Sequence, residues 1–277
     1  MEHLSLSVYY STFNLHPVSM TKQLRDLTVV SNTALNERLI LLRLTDHTPL
    51  PRCTAGQFVQ VRIDGSPSTF LRRPISIHFV DETNNELWLL VQLVGDGTRR
   101  LGQLKTGDRL NVLLPLGNGF SPVQNPGERV LLVGGGVGIA PLLEYGKYLK
   151  ENGVTPIFLL GARTRDDLVQ MEWFKQFGQL HLTTEDGTTG VQGFVTNHPV
   201  LSEPEFDRIA VCGPKPMMLA VARFAHQHNF PCEVSLENMM ACGLGACLCC
   251  VEKTVRGNVC VCTEGPVFNI NQLTWQI

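Results

Sequence analysis

The 277-residue chain lacks any apolar run approaching the roughly 18 residues that span a bilayer; stretches such as residues 130–133 are far shorter. No membrane span is expected. It also lacks a basic excess: 23 Lys and Arg stand against 25 Asp and Glu, and the formal net charge is -2. Phosphate backbones require a concentrated positive stripe, so nucleic acid is not an expected partner. The first 20 residues have no Lys/Arg cluster followed by an apolar segment, so no secretory signal is read and the expected location is cytoplasmic. They show no strand or helix period either, and Met20 is the expected true start. The eight histidines fall in no H-E-x-x-H spacing and no G-x-S-x-G occurs, so hydrolytic machinery is not visible. Cysteine is scarce over most of the chain, with only Cys53, Cys212 and Cys232 before residue 242. The other six of the nine crowd into residues 242–262. That asymmetry suits a metal site and not a disulfide framework.

With 43% hydrophobic residues the chain can bury real cores, and its length suggests two compact domains or slightly more. Residues 24–112 hold six short apolar strand patterns separated by turn residues such as Asp64-Gly65, which together predict an antiparallel β-barrel. A short helix is expected near residues 98–104, with Thr98 as its N-cap. After residue 127 the pattern becomes strand, glycine turn, helix, strand. This is the signature of a parallel α/β sheet. Helices are predicted over 141–152, 166–177, 193–201 and 216–228. Beyond residue 230 the Cys- and Gly-rich tail has little room for its own apolar core, and something besides packing must stabilise it. The expected organisation is an N-terminal extension (1–22), an antiparallel β-barrel (23–122), an α/β domain (123–229) and a small Cys-rich domain (230–277).

Cys242, Cys247 and Cys250 form C-x4-C-x2-C, and Cys262 follows twelve residues later. This matches the plant-type [2Fe-2S] arrangement. Four thiolates hold two irons, and Gly243 and Gly245, without a Cβ, let backbone N–H groups approach the negative sulfurs. Cys250 is preferred to Cys249 because it preserves the x2 spacing; spacing does not decide between Cys262 and Cys260. Four cysteines can also bind structural zinc, although zinc ribbons usually show two C-x2-C knuckles and only one is present.

Arg73, Pro74, Ile75 and Ser76 enter a predicted barrel strand, where an Arg can pair with a pyrophosphate and a Ser hydroxyl can meet a flavin. An Arg-Pro step at a strand edge can equally be structural. Gly97 and Thr98 open the predicted short helix, either as a second phosphate contact or as an ordinary capped turn. Gly135, Gly136 and Gly138 lie between a strand and a helix, the setting of a dinucleotide loop, though not a true G-x-G-x-x-G; a packing turn is the competing reading. Cys212 and Gly213 end a later strand where ligands of open α/β sheets gather, and Cys212 is a candidate to face a nicotinamide. Arg163 and Arg165, next to Asp166 and Asp167, leave NAD and NADP undistinguished.

Read together, Arg73 to Ser76, Gly97-Thr98, the run from Pro115 to Phe120, Gly134 to Pro141, Cys212-Gly213-Pro214 and Cys262-Thr-Glu-Gly-Pro-Val-Phe268 resemble the electron-transfer subunits of dihydroorotate dehydrogenase B. The resemblance runs from about Leu24 to Phe268. It implies FAD contacts at Arg73, Pro74, Ile75, Ser76, Leu90, Val91, Gln92, Gly97 and Thr98. It also implies cluster ligation by Cys242, Cys247, Cys250 and Cys262, the last because the family's final ligand directly precedes the x-acid-Gly-Pro-Val-Phe run. The segment between the third and fourth ligands is shorter than the family's usual one. The implied role is electron transfer in pyrimidine (UMP) biosynthesis: a partner subunit oxidises dihydroorotate on an FMN, and electrons pass by way of [2Fe-2S] and FAD to NAD+, in a heterotetramer of two copies of each chain. The cofactors carry the redox chemistry, so no catalytic acid or base is expected on this chain. Rival readings are the small subunit of a ferredoxin-dependent NADP+ reductase or a sulfide dehydrogenase and, from another class, a zinc-binding interaction module.

Overall fold

The structure, a computed structural model, describes residues 21–66 and 68–277; the expectation about Met20 lies outside them. Six strands form a closed antiparallel barrel: β1 (Gln23–Ala34), β2 (Leu39–Thr45), β3 (Phe58–Val61), β4 (Arg73–Asp81), β5 (Glu86–Gln92) and β6 (Arg109–Leu116). Around the barrel they run β1-β2-β5-β4-β3-β6. Helix α1 (Asp96–Leu101) lies between β5 and β6. Strand alternation decides which side chains fill the barrel. Ile40, Leu42, Leu44, Leu87, Leu89 and Val91 point into the barrel core, whereas Leu39, Leu41, Trp88 and Leu90 point outward. The outward row is also buried, because the second layer of the molecule covers it.

That layer is a seven-stranded sheet. Strands β7 (Arg129–Gly135), β8 (Thr155–Ala162), β9 (Gln179–Thr184), β10 (Val191–Gln192), β11 (Arg208–Cys212) and β12 (Cys232–Ser235) are parallel in the order β10-β9-β8-β7-β11-β12. Helices α2 (Ala140–Glu151), α3 (Met171–Phe177) and α4 (Lys215–Gln227) flank them. Val130, Leu132, Phe158 and Leu160 face the barrel side; Leu131, Val133, Ile157 and Leu159 face the other. Both faces are apolar, as a parallel sheet covered on both sides requires. At the barrel contact, Trp88 and Trp173 meet edge to face at 4.9 Å, and Phe120 stacks on Tyr145 at 4.6 Å. The Glu144 carboxylate accepts the Val80 N–H, and Lys147 donates to the Val80 carbonyl, which fixes α2 to β4.

The tail is a hairpin, β13 (Val251–Thr254) and β14 (Gly257–Cys260), then the single turn α5 (Val261–Glu264) and β15 (Val267–Asn269). Strand β15 pairs antiparallel with β12 and becomes the edge of the large sheet. The tail therefore borrows its core: Cys250, Val261, Cys262 and Phe268 pack in one cluster with Leu131, Val133 and Val211.

Three local expectations are corrected. Residues 166–177 are not one helix, because a 3-10 turn at Arg165–Asp167 is separated from α3 by Gln170, which sits at φ 61° and breaks the helical path. Residues 193–201 form two 3-10 turns, Val195–Asn197 and Pro199–Leu201, since His198 before Pro199 is held extended. The N-cap of α1 is Gly95, not Thr98; the Thr98 hydroxyl instead reaches back from the third helical position to accept the Gly95 N–H at 3.1 Å.

Candidate cofactor sites

On one side of the closed barrel the strand pairing is incomplete. The β4–β5 ladder runs from Asp81 and Glu86 to Ile77 and Leu89 and then stops. Beyond it, Arg73, Pro74, Ile75 and Ser76 pair only with β3, and Leu90, Val91 and Gln92 pair only with β2. The two segments face each other with main-chain groups uncommitted to a shared ladder, which is where an extended cofactor can be held by backbone atoms. The side chains of Leu90 and Val91 are buried, so those residues can offer a ligand only their backbone. Across the same opening, Gly97 lies beneath Arg73: a Cβ at Gly97 would sit 3.0 Å from Arg73 Nε. Residues 24 positions apart are thus brought together, with the Arg73 guanidinium anchored on the Leu71 carbonyl at 2.8 Å. Thr98 is nearly buried, and its hydroxyl is already engaged at the start of α1.

Gln92 also lines a cleft of about 730 Å³ between the barrel and the carboxyl ends of the parallel strands. Gly135, Gly136 and Gly138 form one wall of it. The glycines differ in purpose. A Cβ at Gly138 would lie 2.4 Å from Gly213 Cα, so Gly138 lets the two strand-end loops touch, whereas Gly136, at φ 56°, has open space where a Cβ would go. The cleft floor holds Thr183, fully buried with an unpartnered hydroxyl. Arg38 and Arg163 on the rim both pair with Asp167, at 3.3 and 3.6 Å.

Cys212 is buried and does not line the cleft; Glu237 does. The Cys212 thiol donates toward Glu237 Oε1 at 4.0 Å, and burial pushes the Glu237 carboxyl above the usual carboxylate range. Sequence reasoning missed Glu237, although its place just past the end of β12 was a usable signal.

In the tail, Cys242, Cys247, Cys250 and Cys262 are brought into one neighbourhood, with Cys242 beside Cys247 and Cys250 beside Cys262. Among the described residues no three His, Cys, Asp or Glu side chains converge as a single-ion site. Gly243, Gly245 and Leu248 all have φ between 59° and 83°, which curls the loop so that backbone N–H groups turn inward. Leu244 N–H donates to Cys242 Sγ at 3.3 Å, Gly245 N–H to Cys262 Sγ at 3.2 Å and Cys262 N–H to Cys250 Sγ at 3.4 Å. Burial works to raise the Cys242 pKa, but the N–H groups of Leu244, Cys247 and Ala246 together with the Cys247 thiol outweigh it and hold it down at about 6. Burial first, then the adjacent Cys250, pushes the Cys262 thiol up to about 12. Cys260 also touches Cys250, but it faces a carbonyl, donating to Gly245 O at 3.7 Å. Cys249 is exposed. The residues present therefore fit a sulfur-ligated group: thiols gathered in one place, with backbone N–H donors aimed at three of them.

A barrel with an opened seam, a glycine-walled cleft at parallel strand ends and a four-cysteine loop between them define a flavin and nicotinamide electron carrier of the ferredoxin-reductase type. Comparisons agree. The family described as the iron-sulfur cluster binding domain of dihydroorotate dehydrogenase B matches residues 237–274, and the oxidoreductase NAD-binding domain matches residues 132–223. The dihydroorotate dehydrogenase B (NAD(+)) electron transfer subunit of Lysinibacillus sphaericus is 43% identical over 235 residues, covering 82% of this chain and 90% of the relative. That of Bacillus caldolyticus is 39% identical, covering 89% and 97%. Among solved structures, the NADH-dependent reduced ferredoxin-NADP oxidoreductase superposes with a TM-score of 0.80 at 30% identity, over 90% of each chain. The cytochrome b5 reductase domain of Ulva prolifera nitrate reductase, 16% identical with a TM-score of 0.63 over 75% of this chain and 94% of that one, shares the fold. The chain belongs to the family of dihydroorotate dehydrogenase B electron transfer subunits. The ferredoxin-NADP rival shares the architecture at lower identity and is not favoured. Among the described residues, no helix is long and apolar enough to cross a membrane.

Proposed function

We propose that this chain carries electrons from a dihydroorotate-oxidising, FMN-containing catalytic subunit to NAD+, with two copies of each subunit in the working complex, in de novo pyrimidine synthesis in the cytoplasm. When bound, a [2Fe-2S] cluster accepts electrons singly and FAD exchanges them as hydride with the nicotinamide. The chain's own work is binding, orientation and exclusion of water. Cys242, Cys247, Cys250 and Cys262 would hold the cluster. Arg73 and Gly97 would meet the flavin pyrophosphate, and Pro74, Ile75, Ser76, Leu90, Val91 and Gln92 would hold the ring through the open seam. Gly135, Gly136, Gly138 and Gly213 would shape the nicotinamide cleft, with Cys212 behind Glu237 at its floor. These roles divide the chain into flavin (23–122), nucleotide (123–229) and cluster (230–277) regions, although β12 and β15 join the last to the second physically.

What carries this reading is a juxtaposition: the cysteine loop is stitched to the barrel. Asn118 N–H donates to the Gly265 carbonyl at 2.6 Å, and the Asn118 side chain donates to the carbonyls of Thr263 and Glu264. The loop also exposes Met239 (83%), Leu244 (48%) and Leu248 (65%), an apolar collar about the cysteines of the kind that a partner covers. Docking there would bring the donor subunit close to the cluster.

Anaerobic purification followed by flavin, iron, sulfide and zinc analysis tests the assignment. One FAD, two irons and two sulfides per chain are expected; colourless protein containing zinc and no flavin would overturn it.

A further inference from the structure

Gln60 in β3 is fully buried, yet neither its amide nitrogen nor its amide oxygen has a hydrogen-bond partner. A buried carboxamide left unpaired costs about 1–3 kcal/mol per group. Nothing about β3 demands that cost, because Val59 and Val61 on either side fill the barrel and the opposite face would accept an apolar residue as readily. The backbone around Gln60 is fully specified: it stands opposite Pro74 of β4 and Leu113 of β6, and its carbonyl, opposite a residue with no N–H, accepts from Arg72 Nη1 at 3.1 Å.

The unpaired amide lies against the cysteine loop. A Cβ at Gly243 would stand 2.8 Å from Gln60 Cγ and 3.2 Å from Gln60 Nε2. Glycine at 243, at φ 71°, is therefore what allows the residue after Cys242 to rest on this amide. Gln60 has strand Pro74 on one side and the cysteine loop on the other, so it occupies the seam between the two proposed cofactor sites. It is closed to bulk solvent, and its nitrogen is placed to donate to a group seated beside Cys242.

We propose that the Gln60 carboxamide N–H donates to a sulfur of the iron-sulfur cluster and raises its reduction potential from the barrel side. The inference rests on the reading that the cysteine loop holds a cluster. An N–H donor to a cluster sulfur stabilises the more negative, reduced form, so its loss makes the cluster harder to reduce. The loop's own N–H donors move with the loop; Gln60 is anchored in the barrel, so cluster tuning is tied to the seating of the tail on the flavin-binding region.

The test is an EPR-monitored redox titration of the anaerobically purified chain with Gln60→Met, which keeps side-chain length and removes the donor. Expected for Gln60→Met is a roughly tenfold shift in the reduction equilibrium, about 59 mV lower for a one-electron couple, with altered EPR g-values and an unchanged flavin potential. An unchanged cluster potential and spectrum in the variant with full iron content would overturn the inference, as would a shift confined to the flavin. Should the variant fail to hold iron, the unsubstituted protein labelled with side-chain 15N-glutamine decides: nuclear coupling to the reduced cluster supports the contact, and its absence overturns it. An unsubstituted protein without two irons and two sulfides would defeat the cluster reading itself.

Discussion

Gly245 presents its two backbone groups to two different cysteines, its N–H to Cys262 Sγ at 3.2 Å and its carbonyl to Cys260 Sγ at 3.7 Å. The Gly245 N–H favours a charged Cys262 sulfur, although burial and Cys250 outweigh it in the free thiol, whereas the Cys260 thiol spends its proton on the Gly245 carbonyl. The two backbone groups of one residue therefore treat differently the two cysteines that spacing alone left equivalent.

The consequence is a pair of substitutions. Cys262→Ser should abolish cluster incorporation, seen as loss of iron and sulfide with FAD retained. Cys260→Ser should leave two irons per chain. Retention of iron in the first, or loss in the second, would reverse the assignment.

Arg73 and Gly97 form the second such pairing. Arg73→Ala would remove the charge-assisted contact proposed to the flavin pyrophosphate and should weaken FAD binding by about 10- to 100-fold, in line with about 1.5–3 kcal/mol for a hydrogen bond to a charged group. Gly97→Ala places a Cβ 3.0 Å from Arg73 Nε and should weaken it less, because a flexible side chain can yield. Equilibrium dialysis of FAD against both variants measures this; equal affinity in Arg73→Ala and the parent would remove Arg73 from the site.

Asp167 on the cleft rim occupies both Arg38 and Arg163. A carboxylate there repels a 2′-phosphate and denies it two guanidinium groups. Asp167→Asn should raise kcat/KM for the phosphorylated nicotinamide nucleotide by roughly tenfold, which corresponds to about 1.4 kcal/mol, with little change for NAD. Steady-state kinetics with both nucleotides checks the ratio, and an unchanged preference would place nucleotide discrimination elsewhere.

His78 supplies a pH dependence. It is fully buried in β4, bonded through Nδ1 to the Ala140 carbonyl at 2.9 Å, and burial lowers its pKa to about 4 despite that bond. In the unfolded chain the imidazole takes a proton near 6.5. The unfolded state thus binds more protons between these values, and stability should fall as pH drops through the window, by an amount on the order of 3 kcal/mol. His78→Gln retains an N–H donor and cannot titrate, so its denaturant midpoint should decline less between pH 6.5 and 4. Identical slopes would show that other groups govern acid unfolding.

Much of the fold was legible because its signals are local. The six barrel strands carried short apolar patterns bounded by turn residues, and several of the parallel strands carried short apolar runs ended by glycine. The failures have equally local causes that composition does not register: Gln170 in a left-handed conformation cut a helix that its neighbours would have continued, and Thr98 served its helix from inside. At the site, cysteine spacing was visible but did not decide between Cys260 and Cys262, which differ in the Gly245 backbone group that each meets. Gln60 was invisible, since in sequence it is one polar position in an alternating strand, and only its enclosure beneath Gly243 sets it apart.

The most direct measurement is the activity of Cys250→Ser in complex with the dihydroorotate-oxidising subunit of the same organism. NADH formation driven by dihydroorotate should be abolished, while NADH-dependent reduction of ferricyanide, which needs only the flavin and nucleotide sites, should persist. Dihydroorotate-driven NADH formation at the unsubstituted rate would contradict electron passage by way of the cysteine loop.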